Sequence, residues 1–200
     1  MLFERTETAA PIDAAVEDAL RNADLGLMRG IVEIADYSPR WADAFNALVA
    51  ALEPTRPEEV LEIAHVGSTS VPGLPAKAIL DIAIAVACPS DALRVHEWLQ
   101  AMGFLCRGAR DEQEPEVLYG LELEEGVRLV NVHVERVGGE AWQHHLGLRD
   151  VLRANEEARD VYGALKRRLA IDNPEDRMAY IEGKTDFIVA HREAIDSLEA

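Results

Sequence analysis

The densest apolar pattern in the chain lies in two runs either side of a short polar segment. Leu61, Ile63 and Val66 make the first run, and residues 79–86, Ile-Leu-Asp-Ile-Ala-Ile-Ala-Val, make the second. Apolar residues at nearly every position predict a strand covered on both faces. Before this pair, residues 1–10 carry no periodicity, and residues 11–27 have a helical pattern (Ile12, Val16, Leu20) with Asp13 and Glu17 in the opening turns. Residues 31–35 read as a strand. Ser38-Pro39 then opens a helix whose apolar face is Trp41, Phe45, Leu48, Val49 and Leu52, ended by Pro54 and Pro57.

After the central runs, Pro89-Ser90-Asp91 starts a helix with Leu93, Val95, Trp98, Leu99 and Met102 apolar, stopped by Gly103. Residues 104–106 suit a short strand and 108–116 a polar loop. Two strands follow, 117–123 and 127–137, around the hairpin turn Glu124-Glu125-Gly126. The rest is helical: 140–153, 156–170 and 174–198, with Asn155 and Asn173 where N-caps are wanted. Strands interleaved with helices, then a helical C-terminal third, predict an α/β or α+β fold with a mixed sheet packed by helices. Two hundred residues make one domain with an added tail: residues 1–30 as an appendage, partly disordered with one helix, and 31–198 as the domain.

Asp81 breaks the second apolar run, and a carboxylate there loses hydration at a cost of several kcal/mol unless cations or hydrogen bonds compensate. The turn before it, Gly67-Ser68-Thr69-Ser70, supplies a sharp glycine bend and three hydroxyls, groups suited to holding an oxyanion. His133 is the other polar residue inside an apolar strand. Glu135 shares its strand face by alternation. If the two strands are neighbours, Asp81 and His133 can share a metal ion or a hydrogen bond. The competing readings are a buried histidine bonded to backbone and an aspartate accepting the amides of the glycine turn.

Charge narrows the field. A formal net charge of −17 repels nucleic acid and anionic membranes, while leaving room for a small anion in a local basic pocket. Lys77, Arg128, Arg149 and Lys184 are the basic residues nearest the strand ends and helices that could form one. Arg153, Arg159, Lys166, Arg167 and Arg168 read as a solvated helix face, and His144-His145 as helix surface. Cys88 and Cys106 have no zinc-type spacing and read as reduced thiols. No stretch approaches the ~20 apolar residues of a membrane span, and no signal peptide opens the chain. The expectation is a cytoplasmic protein. Ser68, His133 and Asp81 do not make a hydrolase triad, because no G-x-S-x-G elbow is present.

A Gly-Ser turn followed by an aspartate on the next strand resembles the nucleotidyltransferase superfamily. The segments Asp36-Tyr37-Ser38-Pro39-Arg40-Trp41, residues 65–86, Val130-Asn131-Val132-His133-Val134, Leu148-Arg149-Asp150-Val151-Leu152-Arg153 and Lys184-Thr185-Asp186-Phe187-Ile188 resemble the GrpB family within it, over residues 30–195. The resemblance implies a nucleotidyltransferase-like sheet. It also implies Gly67, Ser68 and Thr69 around phosphates, with Lys77, Arg149 and Lys184 neutralising their charge. Asp81 and His133 would hold Mg²⁺ or Mn²⁺. Nucleotidyl transfer from a nucleoside triphosphate to a small acceptor would be the reaction. The chain departs from the superfamily at Ala83, where a second acid is usual, and it keeps only the second of the two histidines usual in the family around His133. That departure supports a rival reading, a binding module that senses a nucleotide or other small anion without turnover. A third reading makes the fold a partner protein that oligomerises through its N-terminal arm.

Overall fold

Alternation along the second apolar run sets the architecture. In a computed structural model, which describes residues 3–6, 10–109 and 116–191, the elements in chain order are α1 (Ala14–Leu20), β1 (Leu27–Met28), α2 (Arg40–Leu52), β2 (Glu62–Val66), β3 (Leu80–Val86), α3 (Asp91–Ala101), β4 (Leu105–Ala109), β5 (Val117–Glu124), β6 (Val127–Arg136), α4 (Glu140–Ala154), α5 (Glu156–Asp172), α6 (Arg177–Glu182) and α7 (Thr185–Ala190). One mixed sheet runs β2-β3-β6-β5-β4, with β1 paired to the start of β6. Only β3 and β6 are parallel; the other neighbours are antiparallel. This is the helix-packed mixed sheet expected of a nucleotidyltransferase-like chain.

Side chains on β3 alternate between two environments, as a period of two requires. Leu80, Ile82, Ile84 and Val86 join Val130, Val132 and Val134 in the main core, under α2 and α3. Asp81, Ala83 and Ala85 take the opposite face. There Ala64, Val66, Ala83 and Ala85 lie against Trp142 of α4. Small residues on this face let the helix approach closely. Burying one Leu, Ile or Val side chain contributes about 1.5–3 kcal/mol, so the large-residue face dominates the fold's stability.

The structure departs from the sequence expectations at several points. Residues 31–35 form no strand beyond a single bridge between Ala35 and Ala76. Val32 instead donates its amide to Pro174 and packs with Ala170 and Tyr180, so helices rather than a strand satisfy this segment. The helix expected over 11–27 is only α1, capped by the Asp13 side chain. Val16 and Leu20 of that helix lie in the main core with α2, and Phe3 and Thr6 run along β4 and α3, Thr6 exchanging hydrogen bonds with Cys106. The helix expected over 174–198 is two short ones. Asp176 caps α6, while Asn173 closes α5 with its side chain on the Leu169 carbonyl. Residues 192–198 of the expected helix, 110–115 of the expected loop, and 1–2 and 7–9 of the tail lie outside the described residues. Among the described residues, no helix is long and apolar enough to cross a membrane.

Candidate functional site

Parallel pairing of β3 with β6 brings the two polar strand residues together. Asp81 stands opposite Asn131, and Ala83 opposite His133. Antiparallel pairing with β2 ends at Val66 opposite Asp81, so the chain leaves that strand and turns at Gly67 directly beside the carboxylate. Gly67 has φ +66°, and a Cβ there would lie 2.5 Å from Asp81 Oδ2. Only glycine permits this approach. A 3₁₀ turn, Ser68–Ser70, follows, with the Ser70 hydroxyl donating to the Gly67 carbonyl at 2.6 Å.

Asp81 is held but not sealed. Asn131 Nδ2 donates to its Oδ1 at 2.8 Å, His133 Nε2 stands 4.0 Å from the same oxygen, and the side chain remains 32% exposed. Burial pushes its carboxyl up, but the His133 imidazole, Asn131 and Lys77 outweigh that and bring it down to about 2. The imidazole responds in the opposite sense. Burial lowers its pKa, and Asp81, Glu116 and Glu135 together raise it to about 9. Asp81 therefore faces the cavity as an anion and His133 as a cation at neutral pH.

The cavity has a volume of about 370 Å³. Lys77, Arg107, Lys166, Arg177 and Lys184 line it, and Asp81 is the only carboxylate among the described lining residues. Lys77 and Lys184 place their ammonium groups over the Tyr180 ring, at 5.5 and 4.7 Å from its centroid. Burial, with the charges of Lys184 and Arg167 nearby, lowers Lys166 to about 6. Burial and Lys77 lower Lys184 to about 8. Cations crowded in this way favour an anionic guest.

Each site residue expected from the sequence has a definite place. Gly67, Ser68, Thr69, Lys77, Asp81, His133 and Lys184 all line the cavity. The Thr69 hydroxyl is engaged with His65 Nε2 at 3.1 Å. Arg149 does not line the cavity; its guanidinium donates to the His65 carbonyl and to Asp150. One helix-surface expectation is overturned: Lys166 is 2% exposed, with its side-chain nitrogen on the Pro75 carbonyl. Arg153 is exposed as expected, and from the surface it clasps the Ser70 carbonyl with two donors at 3.0 and 2.7 Å. His145 is half-buried and leans on His133, ring centroids 4.5 Å apart.

Sequence reasoning passed over Asn131, Arg107, Arg177 and Tyr180 as cavity residues. Asn131 carried a signal, since it shares a strand face with His133. Lys166 carried one too, at four-residue spacing from the buried Tyr162 and Ala170.

A glycine turn set against a strand carboxylate, on a mixed sheet packed by helices, is the arrangement that the sequence resemblance implied. The family described as GrpB protein matches residues 31–194, and the chain belongs to that family. The UPF0157 protein YqkA of Bacillus subtilis strain 168 is 32% identical over 159 residues, spanning 78% of this chain and 45% of that one. The glutamate-rich protein GrpB of Alkalihalophilus pseudofirmus is 31% identical over 167 residues, spanning 82% of this chain and 95% of that one. The crystal structure of the conserved protein GrpB from Enterococcus faecalis overlays with a TM-score of 0.73 at 26% identity, covering 84% of this chain and all of that one.

Proposed function

We propose that the cavity binds the phosphates of a nucleotide or a similarly phosphorylated small molecule, and that the protein works as a recognition module for it. One observation carries this: five of the chain's 20 lysines and arginines line a cavity in which Asp81 is the one carboxylate among the described residues, in a chain of net charge −17. Basic groups are gathered there where a polyanion would be desolvated. Lys77 and Lys184 supply point charges, Arg107 and Arg177 forked donors, and Tyr180 a ring between the two lysines.

The residues present do not make a resident Mg²⁺ or Mn²⁺ site at Asp81 and His133. Ala83 leaves one carboxylate, and His133 offers a nitrogen rather than an oxygen. Hard divalent ions want oxygen ligands. Nucleotidyl transfer to a small acceptor is the second reading, favoured by Asp81 itself, a half-buried anion beside the turn where an acceptor hydroxyl could be oriented. It predicts pyrophosphate release, which the recognition reading does not.

Calorimetric titration with ATP, GTP, CTP, UTP and inorganic triphosphate, with and without Mg²⁺, tests the proposal. Binding of at least one of them without Mg²⁺ is expected, and Lys77→Met should weaken it about tenfold, the loss of roughly 1.4 kcal/mol of charge-assisted contact. No binding at millimolar concentration, or an unchanged affinity in Lys77→Met, overturns it.

A further inference from the structure

Beside the cavity, on the far side of His133 from Asp81, lies a second cluster. A His133 ring nitrogen, a Glu135 carboxylate oxygen and a His145 ring nitrogen all fall within 4.8 Å of one another, and His133 Nδ1 also stands 3.4 Å from Glu116 Oε1. Glu135 Oε1 is 2.8 Å from His145 Nδ1 and 4.0 Å from His133 Nδ1. The Glu135 side chain is only 1% exposed, yet neither of its oxygens, nor His145 Nδ1, has a hydrogen-bond partner among the described residues. The 2.8 Å approach is too poorly aligned to count as one. A carboxylate sealed in this way costs several kcal/mol unless a cation sits on it. His133 Nδ1, 4.0 Å away, is too far to bring a proton to either oxygen.

The geometry points to a transition-metal site of the Zn²⁺ type, with His133, Glu135 and His145 as its three protein ligands. Two imidazoles and a carboxylate suit Zn²⁺ and not Mg²⁺. Tetrahedral ligands on bonds of about 2.0–2.1 Å stand roughly 3.3 Å apart, and the separations here, 2.8 and 4.0 Å, bracket that value. Two strand residues on one face and a helix residue above them fix the three donors on rigid elements. Asp81 then takes an outer role. With Nδ1 of His133 on the metal, Nε2 turns toward Asp81 Oδ1, the arrangement by which a carboxylate orients a ligating histidine. Both histidines also line the cavity. The fourth coordination position is thus left to water or to an oxygen of the bound anion, as in zinc sites that keep one position open. This site does not need the acid missing at Ala83, and water alone can fill its fourth position, so it stands apart from the phosphate reading.

The test is competition for Zn²⁺ against a chromophoric chelator, with the metal-stripped full chain. The unaltered protein should take up one Zn²⁺ per chain. Glu135→Gln and His145→Ala should each weaken it by more than the about 10–100-fold that loss of an outer partner costs, while Arg94→Gln, at an exposed position of α3, leaves it unchanged. Anomalous scattering from a Zn²⁺-soaked crystal of the unaltered protein reads the same point without relying on a variant's folding, and should place one peak between the three side chains. No uptake by the unaltered chain, equal affinity in folded Glu135→Gln and His145→Ala, or a peak elsewhere overturns the assignment.

Discussion

At the scale of single residues, the site depends on what glycine lacks. Position 67 combines a left-handed backbone with a carboxylate where a Cβ would go. Gly138 has nearly the same φ, +68°, but open space around it, so the two positions separate backbone strain from steric conflict. Gly138→Ala should cost about 1–2 kcal/mol, the strain of an L-residue in that conformation. Gly67→Ala should cost more and, by displacing Asp81, should also change ligand affinity. Urea denaturation and titration of the two variants side by side measure both. Asp81 and this turn were legible in the sequence because a charge in an apolar run and a glycine at its edge are local signals. His145 and Arg153 were not. Their roles come from α4 crossing the small-residue face of the sheet, and helical spacing does not say which face a neighbouring sheet will cover.

At the scale of elements, the strands were the most readable part and the short segments the least. Runs 79–86, 117–123 and 127–137 became β3, β5 and β6 within a residue or two, since a strand buried on both faces leaves little ambiguity of type. The segment 31–35 has strand composition, but its partners are Ala76 and the turn before α6, non-local contacts that the local pattern does not encode. The final helix breaks at Gly183-Lys184, and the break sets Lys184 at the cavity wall. Helix α1 yields the prediction at this scale. Leu20 is 1% exposed within the main core, so Leu20→Ala should lower stability by about 2–5 kcal/mol in the single chain. An arm exchanged between copies would instead give an unfolding midpoint that shifts with protein concentration. Denaturation at two concentrations, with mass measured in solution, distinguishes them.

At the scale of the whole molecule, a strongly acidic protein holds a basic cavity, and two of that cavity's lysines titrate in an accessible range. Lys184 at about 8 and Lys166 at about 6 are both below the ordinary lysine value of 10.5, because burial and like charges disfavour their protonated forms. An anion entering the cavity reverses the balance and raises both values. By linkage, binding must then take up protons wherever the free lysines are neutral. At pH 7 Lys184 is already largely charged, so uptake falls mainly on Lys166, up to about one proton per ligand. At pH 9 both are largely neutral and uptake rises toward two. Affinity for an anion whose charge is constant over this range, such as sulfate, should therefore fall from pH 7 to pH 9. Added salt should weaken it further, since the attraction is electrostatic. Calorimetry at each pH in two buffers of different ionisation enthalpy reads the protons directly. In Lys166→Met the uptake at pH 7 should vanish while that at pH 9 persists through Lys184, a pattern that ionisation of the ligand itself would not produce.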